Sequence, residues 1–469
     1  MDELLRLAVV GHTNVGKTSL LRTLARRADF GEVADRAGTT RHVEQLRLSL
    51  DGAPELQLLD TPGLEDAPGL LQLLQQGEGW PHERIARFLA GPQAQGDFEQ
   101  EAKVLRALQL VDAALIVIDA REPVLPKHRA ELQLLSWCGR PLMPVLNHLR
   151  AADGHEPDWL RALAEHGLHV LARFDAVAPF VGAEQQLLQD LQSLLRERGP
   201  ALQRLRQALQ REARQRREAA CTVLARLLLR GAALRELRQR SELDTAPARS
   251  AAAAGLRRRL LDLAGPSVDQ LLAIYGFRPG DADAQLLPWL DGRRLQTLFE
   301  PEALKAAGTA LGRGAATGAA IGLVADLALA GLSLGTATAL GAAIGGTLSQ
   351  GFTVAGRALR QGLRGQVELG VEETVLLLLA DQLLGLLLQL EQRGHAAQQA
   401  LRLAPPREAA RSLQAALGGL LGRARAYPHW AEAPLSQLED EARWRELQQQ
   451  AARQCLAQLD ERLTRAETA

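Results

Sequence analysis

Eight residues, Gly11-His12-Thr13-Asn14-Val15-Gly16-Lys17-Thr18, hold the densest chemistry in this chain. They fit the spacing G-x-x-x-x-G-K-[ST]. In that pattern the backbone N–H groups of a glycine loop ring an anion, the lysine reaches the β- and γ-phosphates, and the hydroxyl binds Mg²⁺. The stretch from Gly11 to Ser19 is therefore expected to hold a nucleotide, with Lys17 on the phosphates and Thr18 on the metal. A second string, Asp60-Thr61-Pro62-Gly63, ends a short apolar run. An aspartate there is placed to hold Mg²⁺ through water. Gly63 has no side chain to keep its N–H from a γ-phosphate. A third string, Gly38-Thr39-Thr40-Arg41, precedes an alternating stretch, and a fourth, Asn147-His148-Leu149-Arg150, follows another apolar run.

These groups act together only if the chain brings them to one edge, and the flanking residues say how. Leu4 to Val10 reads as a buried strand, and Ser19 to Arg26 as a helix, so the loop lies between them with the positive end of the helix dipole facing the anion. His42–Leu50 and Glu55–Leu59 alternate around a turn at Asp51-Gly52, which is a hairpin signal. Ala113–Ile118 is continuously apolar, as buried parallel strands are. Helices are expected near Lys127–Trp137, Asp158–Glu165 and Glu184–Arg196, with strands at Pro141–Leu146 and Leu168–Ala172. Strands alternating with helices make an α/β domain over residues 1–198, in which ligands gather at strand C-terminal ends. Each motif above lies at such an end. The stretch 64–100 exceeds what a switch and one helix need. Its Gly77, Gly79, Pro81, Gly91, Pro92 and Gly96 suggest a loop-rich insertion, a candidate gating or partner surface.

The set GHTNVGKT, GTTR, DTPG and IDARE resembles the translation-factor-like GTPases, within them the branch of Era and the tRNA-modification GTPases (the TrmE–Era class). The resemblance covers about the first 180 residues. It implies an α/β P-loop domain that binds and hydrolyses GTP with Mg²⁺, in which Thr40 closes over Mg²⁺ and the γ-phosphate, so that Lys17, Thr40 and Gly63 form the catalytic set. Thr18, Thr40 and Asp60 would share the metal. It also implies that Asn14 helps hold K⁺ beside the β–γ bridge, where added positive charge stabilises the transition state, and that two copies meet through the switch face.

Two departures from the pattern matter. Many such enzymes carry a glutamine after Asp-x-x-Gly to position the attacking water. This chain has Leu64 there, so intrinsic hydrolysis is expected to be slow, with Glu65 and Asp66 as nearby polar residues that read more simply as loop acids. The base-recognition pattern Asn-Lys-x-Asp keeps Asn147 but places a donor-only arginine, Arg150, where a carboxylate would accept two hydrogen bonds from guanine. Guanine thus rests on resemblance, with Asp153 and Asp175 as candidate substitutes.

Residues 199–469 read as an all-helical domain. Around 196–240 the chain is rich in arginine; such a helix binds RNA or an anionic membrane, or is a solvated face paired with acidic helices. Few aromatics accompany it, which disfavours a base-stacking surface. The segment 305–356 is apolar and glycine-rich, and between Gly314 and Gly356 its only charged side chain is Asp326. Small residues at four-residue spacing let helices approach closely in lipid. Two readings stay open: marginal membrane insertion as two spans joined near Ser333–Thr336, or a tightly packed soluble hairpin. Thr374–Leu388 is too short to span comfortably and reads as a core helix. Trp430 and Trp444 are candidate packing anchors. His395 and His429 read as structural. The order of parts is also similar to a bacterial family joining such a GTPase to a helical domain of unknown function, number 3482.

Composition narrows the class. The 55 Lys and Arg balance 55 Asp and Glu, which gives no global argument for a nucleic-acid partner. Cys138, Cys221 and Cys455 are scattered and form no metal-spaced pair, which suits a reducing cytoplasm. The phosphate loop begins too early for a signal peptide to precede it. The combined expectation is a cytoplasmic GTP switch at the inner face of the membrane, its helical domain the output module and its partner an anionic membrane surface or a membrane protein. The rivals are an RNA- or ribosome-associated GTPase and a scaffold that binds nucleotide without consuming it.

Overall fold

The computed structural model describes residues 4–25, 43–49, 56–149, 154–176, 182–276, 332–334, 366–392 and 409–468. Two compact units are distinguished, the first running from the amino terminus to Arg214 and including 391–398.

The first unit is built on six strands: β1 (Leu5–Val10), β2 (Glu44–Leu48), β3 (Leu56–Asp60), β4 (Ala113–Asp119), β5 (Leu142–Asn147) and β6 (Ala172–Arg173). Their order is β2-β3-β1-β4-β5-β6. Only β2 runs antiparallel, paired with β3 as the expected hairpin, while the other pairings are parallel. Period-two side chains sort the central strands onto two faces. Ala8, Val10, Ile116, Ile118 and Leu146 enter one core with Leu64, Leu70 and Trp159. Leu7, Val9, Leu115, Val117 and Val145 enter the other with Leu20, Phe174 and Leu191. Both faces are covered, which is why these strands read as nearly continuous apolar runs. The covering helices are α1 (Lys17–Ala25), α2 (Ala67–Gln75), α3 (Pro81–Ala90), α4 (Glu99–Gln109), α5 (Pro126–Ser136), α6 (Glu156–Glu165) and α7 (Ala183–Leu194).

The stretch 64–100 is not loop-rich. It folds into α2, α3, a short 3₁₀ turn at Pro92–Gln95 and the start of α4. Gly77, Gly79, Gly91 and Gly96 fall between these helices, and Leu70, Leu74, Ile85 and Phe88 are buried in the sheet's core. The sixth strand is shorter and later than expected, because only Ala172 and Arg173 pair with β5.

The second unit is mainly helical: α8 (Gly199–Ala233), within which the division of units falls, α9 (Ala246–Ile274), α10 (Glu373–Gln392), α11 (Ala409–Ala424), α12 (Leu435–Asp440) and α13 (Ala442–Thr468). It is not all-helical. Strands β7 (Arg235–Gln239), β8 (Leu332–Leu334) and β9 (Gln366–Val371) form an antiparallel sheet in the order β7-β9-β8. Of the 305–356 segment only Leu332–Leu334 is described, as β8; the remainder, with Asp326 and its glycines, lies outside the described residues.

The core of this unit follows from α10, whose leucines from Leu376 to Leu390 are almost all buried. Gly231 of α8 sits where a Cβ would come within 2.8 Å of Leu376 and 3.1 Å of Leu260, so α8 packs closely on α10 and α9 there. Asp381 of α10 accepts from Arg462 of α13 at 2.7 Å. Trp430 and Trp444 are both fully buried and meet edge to face at 5.1 Å. Tyr427 stacks on Trp430 at 4.2 Å, and the Trp430 indole donates to Glu441. Glu441 also pairs with His429, which gives that histidine a structural role. The arginine-rich helix pairs with acids as well, Arg217 with Asp460 and Arg226 with Glu439.

Candidate functional site

The phosphate loop joins β1 to α1, as the strand–loop–helix pattern requires. Asn14 takes a left-handed backbone (φ 63°), a conformation that asparagine tolerates better than most residues, and its side chain is exposed. Gly16 is also left-handed (φ 95°), and a Cβ there would come within 2.5 Å of the Asn147 amide. The loop curls around Lys17, whose ammonium donates to the carbonyls of Gly11 (3.1 Å) and His12 (2.8 Å). Burial pushes the Lys17 amine down to about 8, opposed by the charges of Asp60 and Glu131. A phosphate beside it would favour the protonated form.

Asp60, at the C-terminal end of β3, accepts from the Thr18 hydroxyl at 2.7 Å through one oxygen. Its other oxygen, Oδ1, is buried with no hydrogen-bond partner. Burial pushes the Asp60 carboxyl up to about 6, with the Thr18 hydrogen bond and Lys17 pulling the other way. An orphaned carboxylate oxygen in a dry site is costly, and a hydroxyl lies beside it. That donor set is hard, all-oxygen and anionic, and it fits Mg²⁺.

The segment after β3 is pressed on the loop. Thr61 donates to the carbonyl of Val9 at 2.8 Å. At Gly63 a Cβ would lie 2.8 Å from the Thr13 nitrogen, so only glycine fits against the phosphate loop. Leu64 forms a β-bridge with His12 and is fully buried. A buried leucine has no group to orient water. Glu65 and Asp66 prove to be elements of a helix start: Asp66 caps α2 by accepting from Gly69 N at 2.8 Å.

At the other end of the site, Asn147 organises backbone. Its amide donates to the carbonyl of Val15 (2.9 Å), and its oxygen accepts from His148 N and Ala176 N, each at 2.9 Å. This single side chain ties the phosphate loop to β5 and to the turn after β6. His148 is left-handed (φ 58°), and burial lowers its imidazole, opposed by Asp119. Asp119, in register with Asn147, accepts from Arg121 on both oxygens, from the guanidinium at 2.9, 3.2 and 2.6 Å and from the backbone N–H at 3.0 Å. Burial opposes its ionisation, but the Arg121 hydrogen bonds outweigh that and hold its carboxyl low.

The structure thus brings Gly11 to Ser19, Asp60, Gly63 and Asn147 together. Thr40, Arg150 and Asp153 lie outside the described residues. Several neighbours were not legible in the sequence. Lys127 Nζ lies 2.8 Å from His12 Nε2, and Glu131 lies 2.7 Å from His12 Nδ1. Lysine is donor-only, so Nε2 accepts and Nδ1 donates to Glu131. Glu101 of α4, bonded to Glu65 N and Asp66 N, is another. Their helices reach the loop by packing, which no local spacing encodes. Among the described residues no group of three His, Cys, Asp or Glu could hold a metal ion by itself.

The parallel sheet, the phosphate loop and the Asp60 segment make the first unit a P-loop domain, similar to the GTPases of the TrmE–Era class. Residues 6–148 match the family described as 50S ribosome-binding GTPase. Residues 161–453, more than half of the chain, match the family described as Domain of unknown function (DUF3482), and the chain belongs to that family. A tRNA modification GTPase MnmE from Pseudoalteromonas translucida is 39% identical over 80 residues, 17% of this chain and 17% of that one. The MnmE of Chromobacterium violaceum is 26% identical over 195 residues, 39% of this chain and 37% of the relative. The matches therefore span well under half of those relatives. Among solved structures, Era of Aquifex aeolicus bound to GDP and aluminium fluoride is 20% identical, over 41% of this chain and 57% of that one, with a TM-score of 0.30.

Proposed function

We propose that the chain binds GTP with Mg²⁺, hydrolyses it slowly, and uses the exchange of GTP for GDP to switch its C-terminal domain. The observation that carries this reading is the junction of Lys17, Thr18, Asp60 and Gly63 at one end of the sheet, with Asp60 Oδ1 buried and unpartnered. Lys17 would neutralise phosphate charge, and Thr18 and Asp60 would hold Mg²⁺, which polarises the phosphates when bound. Thr40 would complete the metal's coordination and Gly63 N–H would meet the γ-phosphate. Leu64 supports the slow rate, since it leaves water positioning to a cation or a partner. K⁺ held with the help of exposed Asn14 is the cation we favour. GTP hydrolysis compared in K⁺ and in Na⁺ tests both points: stimulation by K⁺ that Asn14→Ala removes is expected, and equal rates in the two salts would refute the role of K⁺.

We also propose that the output acts at a cytoplasmic membrane face, through the apolar 314–356 segment. Its composition supports this; α10, where Glu373–Glu391 is also long and apolar enough to cross a membrane, is two thirds buried (67%) and serves as a core helix instead. Pairing of Arg217 and Arg226 with acids removes part of the basic surface an RNA reading would use. Deleting residues 314–356 should move the protein from the membrane fraction to the soluble one while nucleotide binding persists. Unchanged partition would count against it.

A further inference from the structure

Helix α4 contributes a buried acid that faces the segment after Gly63. Glu101 is only 2% exposed, set among Ala102, Val104 and Leu105 of the sheet's core. One of its oxygens accepts from two consecutive backbone amides, Glu65 N at 2.8 Å and Asp66 N at 2.7 Å. Those amides immediately follow Gly63 and Leu64. Leu64 is bridged to His12, and Gly63 lies against Thr13. A continuous set of contacts therefore runs from α4 through the two amides to the phosphate loop. Burying a carboxyl in an apolar core is unfavourable unless its hydrogen bonds are made, and here both donors come from one segment, the one that follows the proposed γ-phosphate contact at Gly63.

We infer that Glu101 is a positioning residue that latches the segment after Gly63 onto helix α4, holding the Gly63 amide ready for a γ-phosphate and carrying its release to α2–α4. The inference rests on the GTP reading for its nucleotide part, and on hydrogen bonding alone for the latch. By fixing the segment before ligand arrives, Glu101 favours triphosphate over diphosphate. A residue serving only stability would affect both nucleotides alike.

The test uses the full chain with Glu101→Leu, which keeps an apolar filling but no acceptor, and Glu101→Gln, which keeps the acceptor oxygen. Amide hydrogen exchange over 64–70 is measured without nucleotide, and binding of GDP and of a non-hydrolysable GTP analogue is measured with Mg²⁺. In Glu101→Leu the amides of residues 65 and 66 should exchange about tenfold faster, and the analogue should weaken about tenfold relative to GDP, the size of one net hydrogen bond. Glu101→Gln should restore most of both. Unchanged exchange in Glu101→Leu overturns the latch, and equal weakening of both nucleotides overturns its role in sensing the γ-phosphate. If the wild-type chain binds neither nucleotide, the GTP reading and the sensing role fall, while the exchange measurement still decides the latch.

Discussion

At the residue scale, the site's acid–base state makes distinct predictions. The Asp60 carboxyl is pushed up to about 6 by burial, so protons compete with Mg²⁺ below that pH. The ordinary value is 3.8, so Asp60's own contribution to stability is full below the unfolded value and is lost as pH rises through the folded one. Mg²⁺ reverses that loss by binding the charged form. The stabilisation that Mg²⁺ and GTP confer in a thermal melt should therefore grow between pH 5 and 7 by about an order of magnitude per pH unit in metal affinity below pH 6, flattening above it. Asp60→Asn should remove that pH dependence, and a profile unchanged by the substitution would separate Asp60 from the metal. Lys17→Ala should lower turnover by about 10²–10³-fold, the usual cost of removing one group aimed at developing charge. Gly16→Ala is expected to lose binding as well, because its Cβ would strike the Asn147 amide that holds the loop; the readout is nucleotide affinity beside a melting curve.

Elements set what a sequence can disclose. The phosphate loop was legible because its spacing is local, and β1, β3, β4 and β5 because strands covered on both faces are almost entirely apolar, with Arg6 and Gln57 the interruptions in β1 and β3. The region after Gly63 was misread for a physical reason: its glycines are dense enough to resemble a loop, yet Gly77, Gly79, Gly91 and Gly96 fall between short helices whose leucines share the sheet's core. Truncating Phe88→Ala in that region should cost about 3–5 kcal/mol in denaturant unfolding, as buried aromatics do, whereas a loop residue would cost almost nothing. The small sheet of the second unit was hidden because β7 is charged, half-exposed at its start and fully exposed at its end, and so reads as a continuation of the basic helix. Its partner β9 lies far along the chain, and register between distant strands leaves no local pattern. Glu101, Lys127 and Glu131 escaped for the same reason, since their meaning comes from what packs beside them. Asp381 and Arg462 illustrate the energetic side. Both are largely buried, so Arg462→Met alone should destabilise the second unit by about 3–5 kcal/mol, and adding Asp381→Leu should recover much of that loss.

For the whole molecule, a P-loop domain is joined to a helical domain of the DUF3482 family, and the proposed nucleotide switch must couple the two. The residues proposed to touch phosphate and metal belong to the first unit, and the segment proposed to meet the membrane belongs to the second. Their coupling is a claim about free energy: GTP and the membrane partner must each favour the same conformation. Liposomes with anionic lipid should then alter GTP affinity in the full chain, and lose that effect when 314–356 is deleted. GTP consumption at the phosphate loop comes first, because membrane coupling depends on it. It is tested most directly by measuring release of inorganic phosphate from GTP and from ATP by the full chain with Mg²⁺ and K⁺, beside Lys17→Ala. Slow release from GTP, much less from ATP, and loss of both in the variant are expected. Phosphate release that Lys17→Ala leaves intact, or GTP that is bound and never consumed, would contradict that expectation.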